Sequence, residues 1–216
     1  MRLRPLVLAA LVCAASTLHA QEPAPPAGWT VSRWSTGGDS SVSFVEMAPG
    51  WHVTTGARAV LYDSATSASG NYALEAELFL FPGSAGEHYG IFVGGQRYGR
   101  WVPRYLHLAI DRAGGVFVYE VYGDKIVEHV NTARHEAVAA HTGGEGPVKN
   151  VLRIEVNAAA VRFLVNGQEV KSVPRAMFEP VELEGLVGLW VGAGMNLHVS
   201  RFDLTRHLAP QPAASH

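Results

Sequence analysis

The sequence predicts an all-β fold: a two-sheet antiparallel sandwich of jelly-roll type. Three observations predict it. Stretch after stretch alternates apolar and polar residues with period two and is rich in Val, Ile, Tyr and Phe, the pattern of half-buried antiparallel strands. Short turns drawn from 23 glycines separate these stretches. No stretch sustains a helical period. Roughly ten to twelve strands of this length, joined by short turns, pack as two antiparallel layers.

Taken in order, VSFVEM (42–47), WHVTT (51–55) and RAVLYD (58–63) are short strand candidates. NYALEAELFLF (71–81) sets Tyr72, Leu74, Ala76, Leu78 and Leu80 on one face and Glu75, Glu77 and Phe79 on the other. HYGIFVGG places Tyr89, Ile91 and Val93 opposite His88, Gly90 and Phe92. YLHLAID (105–111) turns Leu106, Leu108 and Ile110 inward and Tyr105 and His107 outward, and GGVFVYEVYGD (114–124) follows between glycine turns. TARHEAVAAH (132–141) predicts a turn or two of helix, stopped by Gly143, Gly144, Gly146 and Pro147. VLRIEVN (151–157) buries Leu152, Ile154 and Val156 and exposes Arg153 and Glu155. In VRFLVNGQEV (161–170), Asn166-Gly167 suits a type I′ hairpin, because both residues accept positive φ. GLVGLWVGAGMNLHVSRFDL (185–204) reads as two strands around a glycine-rich turn at 192–194. In the second of them the apolar phase slips from Leu197 and Val199 to Phe202 and Leu204, which predicts a β-bulge near Ser200–Arg201.

The ends read differently. Arg2 and Arg4, the apolar run PLVLAALVCAA and the stretch STLHA form a secretory signal peptide over residues 1–20, with cleavage near Ala20. A periplasmic or secreted location is therefore expected. The apolar run is too short to span a bilayer, and no later run is long enough to do so. Residues 21–40 read as a Pro/Ala-rich leader, 41–206 as the sandwich domain and 207–216 as a flexible tail. The sole cysteine, Cys13, lies in the signal, so the mature fold has no disulfide and depends on its core. A formal net charge of −2 and the lack of a basic stripe exclude a nucleic-acid partner.

The stretch GEHYGIFVGGQRYGRW (86–101) has the glycines of a phosphate-binding loop, but no helix follows them. The loop at 95–104 instead offers Gln96, Arg97, Tyr98, Arg100, Trp101 and Arg104, aromatic and hydrogen-bonding groups that suit a sugar, flanked by His88 and Tyr105. Glu75 and Glu77 leave one face of their strand with carboxylates roughly 6–7 Å apart, a glycosidase-like spacing. With His107 they are the acid–base candidates; the alternative is a solvated charged face. If strands 71–81, 86–94, 103–111 and 115–122 share a sheet, Glu75, Glu77, His88, Tyr105, His107 and Tyr119 converge on one cleft, with Asn196 and His198 within reach. HEAVAAH fails the spacing of a helical zinc motif, since His135 and His141 are six apart, and adding His129 gives only a weak metal pattern. No cofactor is implied, although Asp39, Asp63, Asp111 and Asp124 sit in turn contexts that leave room for structural calcium. The mature chain has neither a thiol nor a G-x-S-x-G elbow.

GNYALEAELFLF, YGIFVGGQ, KNVLRIEVNAAAVRFLVNGQEV and GLVGLWVGAGMNLHVSRFDL together resemble the concanavalin A-like lectin/glucanase superfamily. Their order is most similar to secreted bacterial 3-keto-disaccharide hydrolase-like domains, over about residues 40–206. The resemblance implies an exported carbohydrate-binding sandwich, or alternatively a glycoside hydrolase or 3-keto-disaccharide hydrolase-like enzyme. The Glu-x-Asp-x-x-Glu strand of the family 16 glucanases is absent from LEAELFLF. A third reading is a structural or partner-binding module acting through sheet edges.

Overall fold

A computed structural model describes residues 25–34, 41–96, 104–178 and 183–207. Its strands are β1 (Trp29–Trp34), β2 (Val42–Glu46), β3 (Trp51–Thr55), β4 (Arg58–Ala68), β5 (Tyr72–Leu80), β6 (Tyr89–Gln96) and β7 (Arg104–Ile110). They continue with β8 (Val116–Tyr122), β9 (Lys125–Thr132), β10 (Val148–Val156), β11 (Ala160–Val165), β12 (Gln168–Pro174), β13 (Gly185–Val191) and β14 (Asn196–Arg206). Two seven-stranded sheets result, the first in the order β1-β4-β13-β6-β7-β8-β9 and the second in the order β12-β11-β10-β5-β14-β3-β2. Neighbouring strands run antiparallel, so the fold is the jelly-roll sandwich that the alternation predicts.

The inward faces meet as a single apolar layer. Leu61, Ile91, Val93, Leu106, Leu108, Ile110 and Leu189 of the first sheet pack on Leu74, Leu78, Leu80, Leu152, Ile154, Phe163 and Leu197 of the second. Each full burial of such a side chain contributes about 1.5–3 kcal/mol, so this layer holds the sheets together without a covalent link. The hairpin at 166–167 has the expected geometry, with φ of 51° at Asn166 and 80° at Gly167. The bulge in β14 is present too: its register against β5 shifts between Val199 and Arg201.

Three local readings change. The sheet begins at Trp29, ahead of residue 41, because β1 pairs with β4 along its whole length. KIVEHVNT forms β9, an edge strand whose residues are mostly exposed, so it lacks the alternation that marks a half-buried strand. The segment 132–141 is not helical. A single turn closes from the Val138 amide to the His135 carbonyl, while the Ala137 amide donates to His135 Nδ1. Local side-chain acceptors of this kind compete with helix formation. The segment closes one end of the sandwich, with Ala137 and Val138 in the core. It is held there by Asn150, which is fully buried. Asn150 Oδ1 accepts from the Ala139 amide at 2.9 Å, and its Nδ2 donates to the Ala139 carbonyl at 2.9 Å. Asn166 donates through Nδ2 to both Asn150 Oδ1 and the Ala137 carbonyl, each at 2.8 Å. The signal expected over residues 1–20, the tail from residue 208 and Asp39 lie outside the described residues.

Candidate functional site

The outer face of the first sheet is also apolar. Val60, Tyr62, Phe92, Tyr105 and Val121 form a second buried cluster there, with Leu186 and Trp190 packed against it. The register explains the grouping. One row across the sheet reads Tyr62, Gly188, Phe92, His107, Tyr119, and the next reads Val60, Trp190, Gly90, Ala109, Phe117. Small residues beside large ones let the rings lie against the sheet. A Cβ on Gly188 would stand 2.6 Å from the Phe92 ring and 2.2 Å from the Leu61 carbonyl oxygen, so only glycine leaves room for that ring.

Trp190 stands at the centre. Its ring stacks on His107 with centroids 5.4 Å apart and planes 16° apart, and its indole N–H donates to the Tyr105 hydroxyl at 3.2 Å. His107 meets Tyr119 edge-on at 5.4 Å. His88 stacks on Phe117 at 3.7 Å and lies 6.2 Å from Trp190. From β4 to β8 neither row holds an Asp, Glu, Lys or Arg; on the edge strand β9 the first row ends at Glu128, opposite Tyr119. His107 is only 3 % exposed, and neither ring nitrogen has a hydrogen-bond partner. Burial lowers its pKa to about 3, so the ring is neutral near pH 7, with one N–H donor and one acceptor. Burial likewise pushes the Tyr105 hydroxyl up to about 12 and lowers His88. The centre of the face is thus aromatic and uncharged, and the His107 ring beneath it is left with an unmet donor–acceptor pair, which costs about 1–3 kcal/mol per unmade group.

The His107 shift has a measurable consequence. Below about 6.5 the unfolded chain takes up a proton on this ring, whereas the folded chain does not until about 3. Stability therefore falls as pH drops through that window, by up to about 1.4 kcal/mol per pH unit from this group. Urea denaturation at pH 7 and pH 5 is expected to show a smaller loss for His107→Phe than for the wild type. His88, His129 and His198 are lowered by burial as well and give both proteins a shared, shallower slope.

The structure brings His88, Tyr105 and His107 onto one face but separates them from Glu75 and Glu77. The single cleft expected from the sequence does not form, because β5 lies between β10 and β14 in the second sheet. There Glu75 pairs with Arg153 at 3.2 Å and with Arg201. Glu77 accepts from the Ser200 hydroxyl at 2.7 Å and pairs with Lys149 at 3.3 Å. The Ser200 hydroxyl, ahead of Lys149, holds Glu77 below the usual carboxylate range, the opposite of what a general acid requires. The charged-face reading fits these contacts. Glu75→Gln and Glu77→Gln are each expected to change stability by no more than about 1 kcal/mol in chemical denaturation. Asn196 and His198 also sit in the second sheet, where Asn196 is hydrogen-bonded to His52.

Gln96 and Arg104 face each other at the ends of β6 and β7, and the Arg104 guanidinium lies 4.7 Å from the Tyr122 ring centroid. Arg97, Tyr98 and Trp101 lie outside the described residues. Among the described residues no three His, Cys, Asp or Glu are grouped to hold a metal. His129 is turned to Glu120 at 3.4 Å, while His135 and His141 accept from nearby amides. Asp63 and Asp111 are engaged with the amides of their own turns. Trp190 is not among the residues that the sequence marks as a site, yet GLVGLWV carries a signal for it. The face opposite Val187, Leu189 and Val191 is Leu186, Gly188 and Trp190, a lone large ring beside a glycine. Away from this face, a cavity of about 310 Å³ between the β1–β4 edge and β14 is lined by Trp29, Trp51, Asp63, Arg201 and Phe202 among others.

No family model matches the chain, and no curated protein sequence matches it. Solved structures do. A carbohydrate-binding module, CBM66 from Bacillus subtilis, superposes with a TM-score of 0.61 at 12 % identity, covering 82 % of this chain and 95 % of the module. The carbohydrate recognition domain of Emp46p, in a potassium-bound form, gives a TM-score of 0.57 at 11 % identity, over 84 % of this chain and 90 % of that domain. A family 16 glycoside hydrolase of Bacteroides ovatus, from a mixed-linkage glucan locus and in complex with a product, gives 0.52 at 11 % identity, over 82 % and 94 %. The chain therefore has the concanavalin A-like jelly-roll fold. No helix among the described residues is long and apolar enough to cross a membrane.

Proposed function

We propose that this is an exported carbohydrate-binding protein, and that a sugar stacks on the outer face of the first sheet at Trp190. The observation that carries the reading is the half-buried Trp190 ring at the centre of an aromatic face, backed by the neutral His107 imidazole on which it stacks. Ring faces match the apolar faces of sugar rings. The absence of charge between β4 and β8, with Glu128 the charged residue where the first row reaches β9, favours a neutral segment of glycan there over an anionic group. The jelly-roll likeness to carbohydrate-binding and carbohydrate-recognition domains supports the class of ligand.

The test is a panel of neutral polysaccharides in affinity electrophoresis, with tryptophan emission followed in parallel. Saturable retardation and a shifted emission are expected for at least one glycan, without release of reducing ends. Release of reducing ends, or cleavage of a 3-keto-disaccharide, would instead place the chain with the hydrolases that the finer sequence likeness suggests. The ion-paired state of Glu75 and Glu77 argues against that reading. Retardation by no glycan would overturn the proposal.

A further inference from the structure

A second concavity lies at the end of the sandwich closed by the 132–141 segment. It measures about 420 Å³ and is lined by Arg112, Ala113, Arg134, Ala140, His141, Thr142 and Gly143. Its walls are fixed. The Asp111 carboxylate accepts from the Ala113 and Gly115 amides at 2.8 Å each, which sets the turn that carries Arg112. The His141 amide donates to the Arg112 carbonyl at 2.8 Å, and the His135 amide to the Gly114 carbonyl at 2.8 Å, so the two walls are stitched together. Asn150 and Asn166 anchor the far wall from behind through Ala139 and Ala137. Arg112 is oriented by a 2.9 Å bond from Nη1 to the Ser84 carbonyl.

The lining chemistry has one sign. Arg112 and Arg134 bring guanidinium groups, and among the described residues neither is paired with a carboxylate. His141 is 5 % exposed, and its Nδ1 accepts from the Gly143 amide. In the neutral ring the hydrogen is then on Nε2, and this buried donor has no acceptor. Two guanidinium groups around one hollow, with no carboxylate in the lining and a buried imidazole nitrogen left unmet in its wall, are complementary to an oxyanion. We propose that this hollow binds a ligand's oxyanion, the carboxylate of an acidic sugar or a sulfate group, at a site separate from the aromatic face. The proposal goes beyond the neutral-sugar reading of that face and does not depend on it.

Amide NMR at constant ionic strength tests it, with sodium glucuronate, sodium sulfate and glucose as ligands for the full chain. Saturable shifts are expected at Arg112–Gly114 and Ala140–Gly143 with glucuronate or sulfate, and none with glucose. A response to glucuronate alone assigns the site to acidic sugars, and a response to sulfate alone assigns it to sulfate groups. Arg134 is exposed, so Arg134→Gln leaves the fold intact; it is expected to weaken binding about tenfold, with partial recovery in Arg134→Lys. Trp190→Ala is expected to leave these shifts unchanged, which separates this site from the aromatic one. No saturable response to either anion, equal shifts with glucose, or undiminished binding by Arg134→Gln would each overturn the proposal.

Discussion

Trp190→Ala is expected to weaken glycan binding about thirtyfold or more, the loss of about 2 kcal/mol that follows truncation of a central aromatic anchor. The residue supplies the half-buried ring at the middle of the face, stacks on His107 and donates to Tyr105. Removing it takes away the platform and loosens the two side chains beneath. Trp190→Phe retains a ring but not the indole N–H, so it is expected to keep part of the affinity. Titration calorimetry with the glycan that gives the strongest retardation measures both, and circular dichroism confirms that each variant is folded. Trp51→Ala is the control, since Trp51 lines the separate cavity between the β1–β4 edge and β14. If affinity falls in Trp51→Ala and holds in Trp190→Ala, the ligand sits in that cavity and the aromatic face is not the site.

Asn150→Ala carries the largest expected loss of stability. The side chain is fully buried and satisfies the amide and the carbonyl of Ala139 together with the amide group of Asn166. Alanine leaves these groups buried without partners, at about 1–3 kcal/mol for each group left unmade. A total near 4 kcal/mol is expected, read as a lower urea midpoint with an unchanged denaturant slope. Hydrogen exchange localises the damage: the Ala137–Ala139 amides are expected to lose protection in Asn150→Ala, while the β5–β14 ladder keeps its order of protection. An unchanged midpoint would mean that water replaces the clamp and that the end segment is not held by it.

Much of the fold is legible in the sequence because it rests on period-two patterns and short-range turn chemistry. Leu106, Leu108 and Ile110 against Tyr105 and His107, the Asn166-Gly167 hairpin and the phase slip in β14 all depend on residues a few positions apart. The site depends on pairings that local pattern does not encode. Glu75 and His107 each face outward from their strands as expected, yet they lie on opposite sides of the molecule, since β5 is flanked by strands from much later in the chain. The 132–141 segment shows the same effect. Its alanines suit a helix, but Asn150 and Asn166, distant in sequence, take over its backbone groups. Loop composition groups Gln96 and Arg104 with nearby aromatic residues, whereas Trp190 reaches the aromatic face through the pairing of β13 with β6, which no local pattern reveals.

The position of β14 also constrains the order of events in folding. It pairs with β5 on one side and β3 on the other, so the middle of the second sheet is supplied by residues 196–206. Until that stretch is synthesised, β3 and β5 have open edges and no partner between them. Topologies built on such distant pairings nucleate slowly, since a long loop must close before any contact rewards it. A nascent chain thus cannot join the β3 and β5 halves of the second sheet until residues 196–206 emerge, which makes closure of that layer a late event.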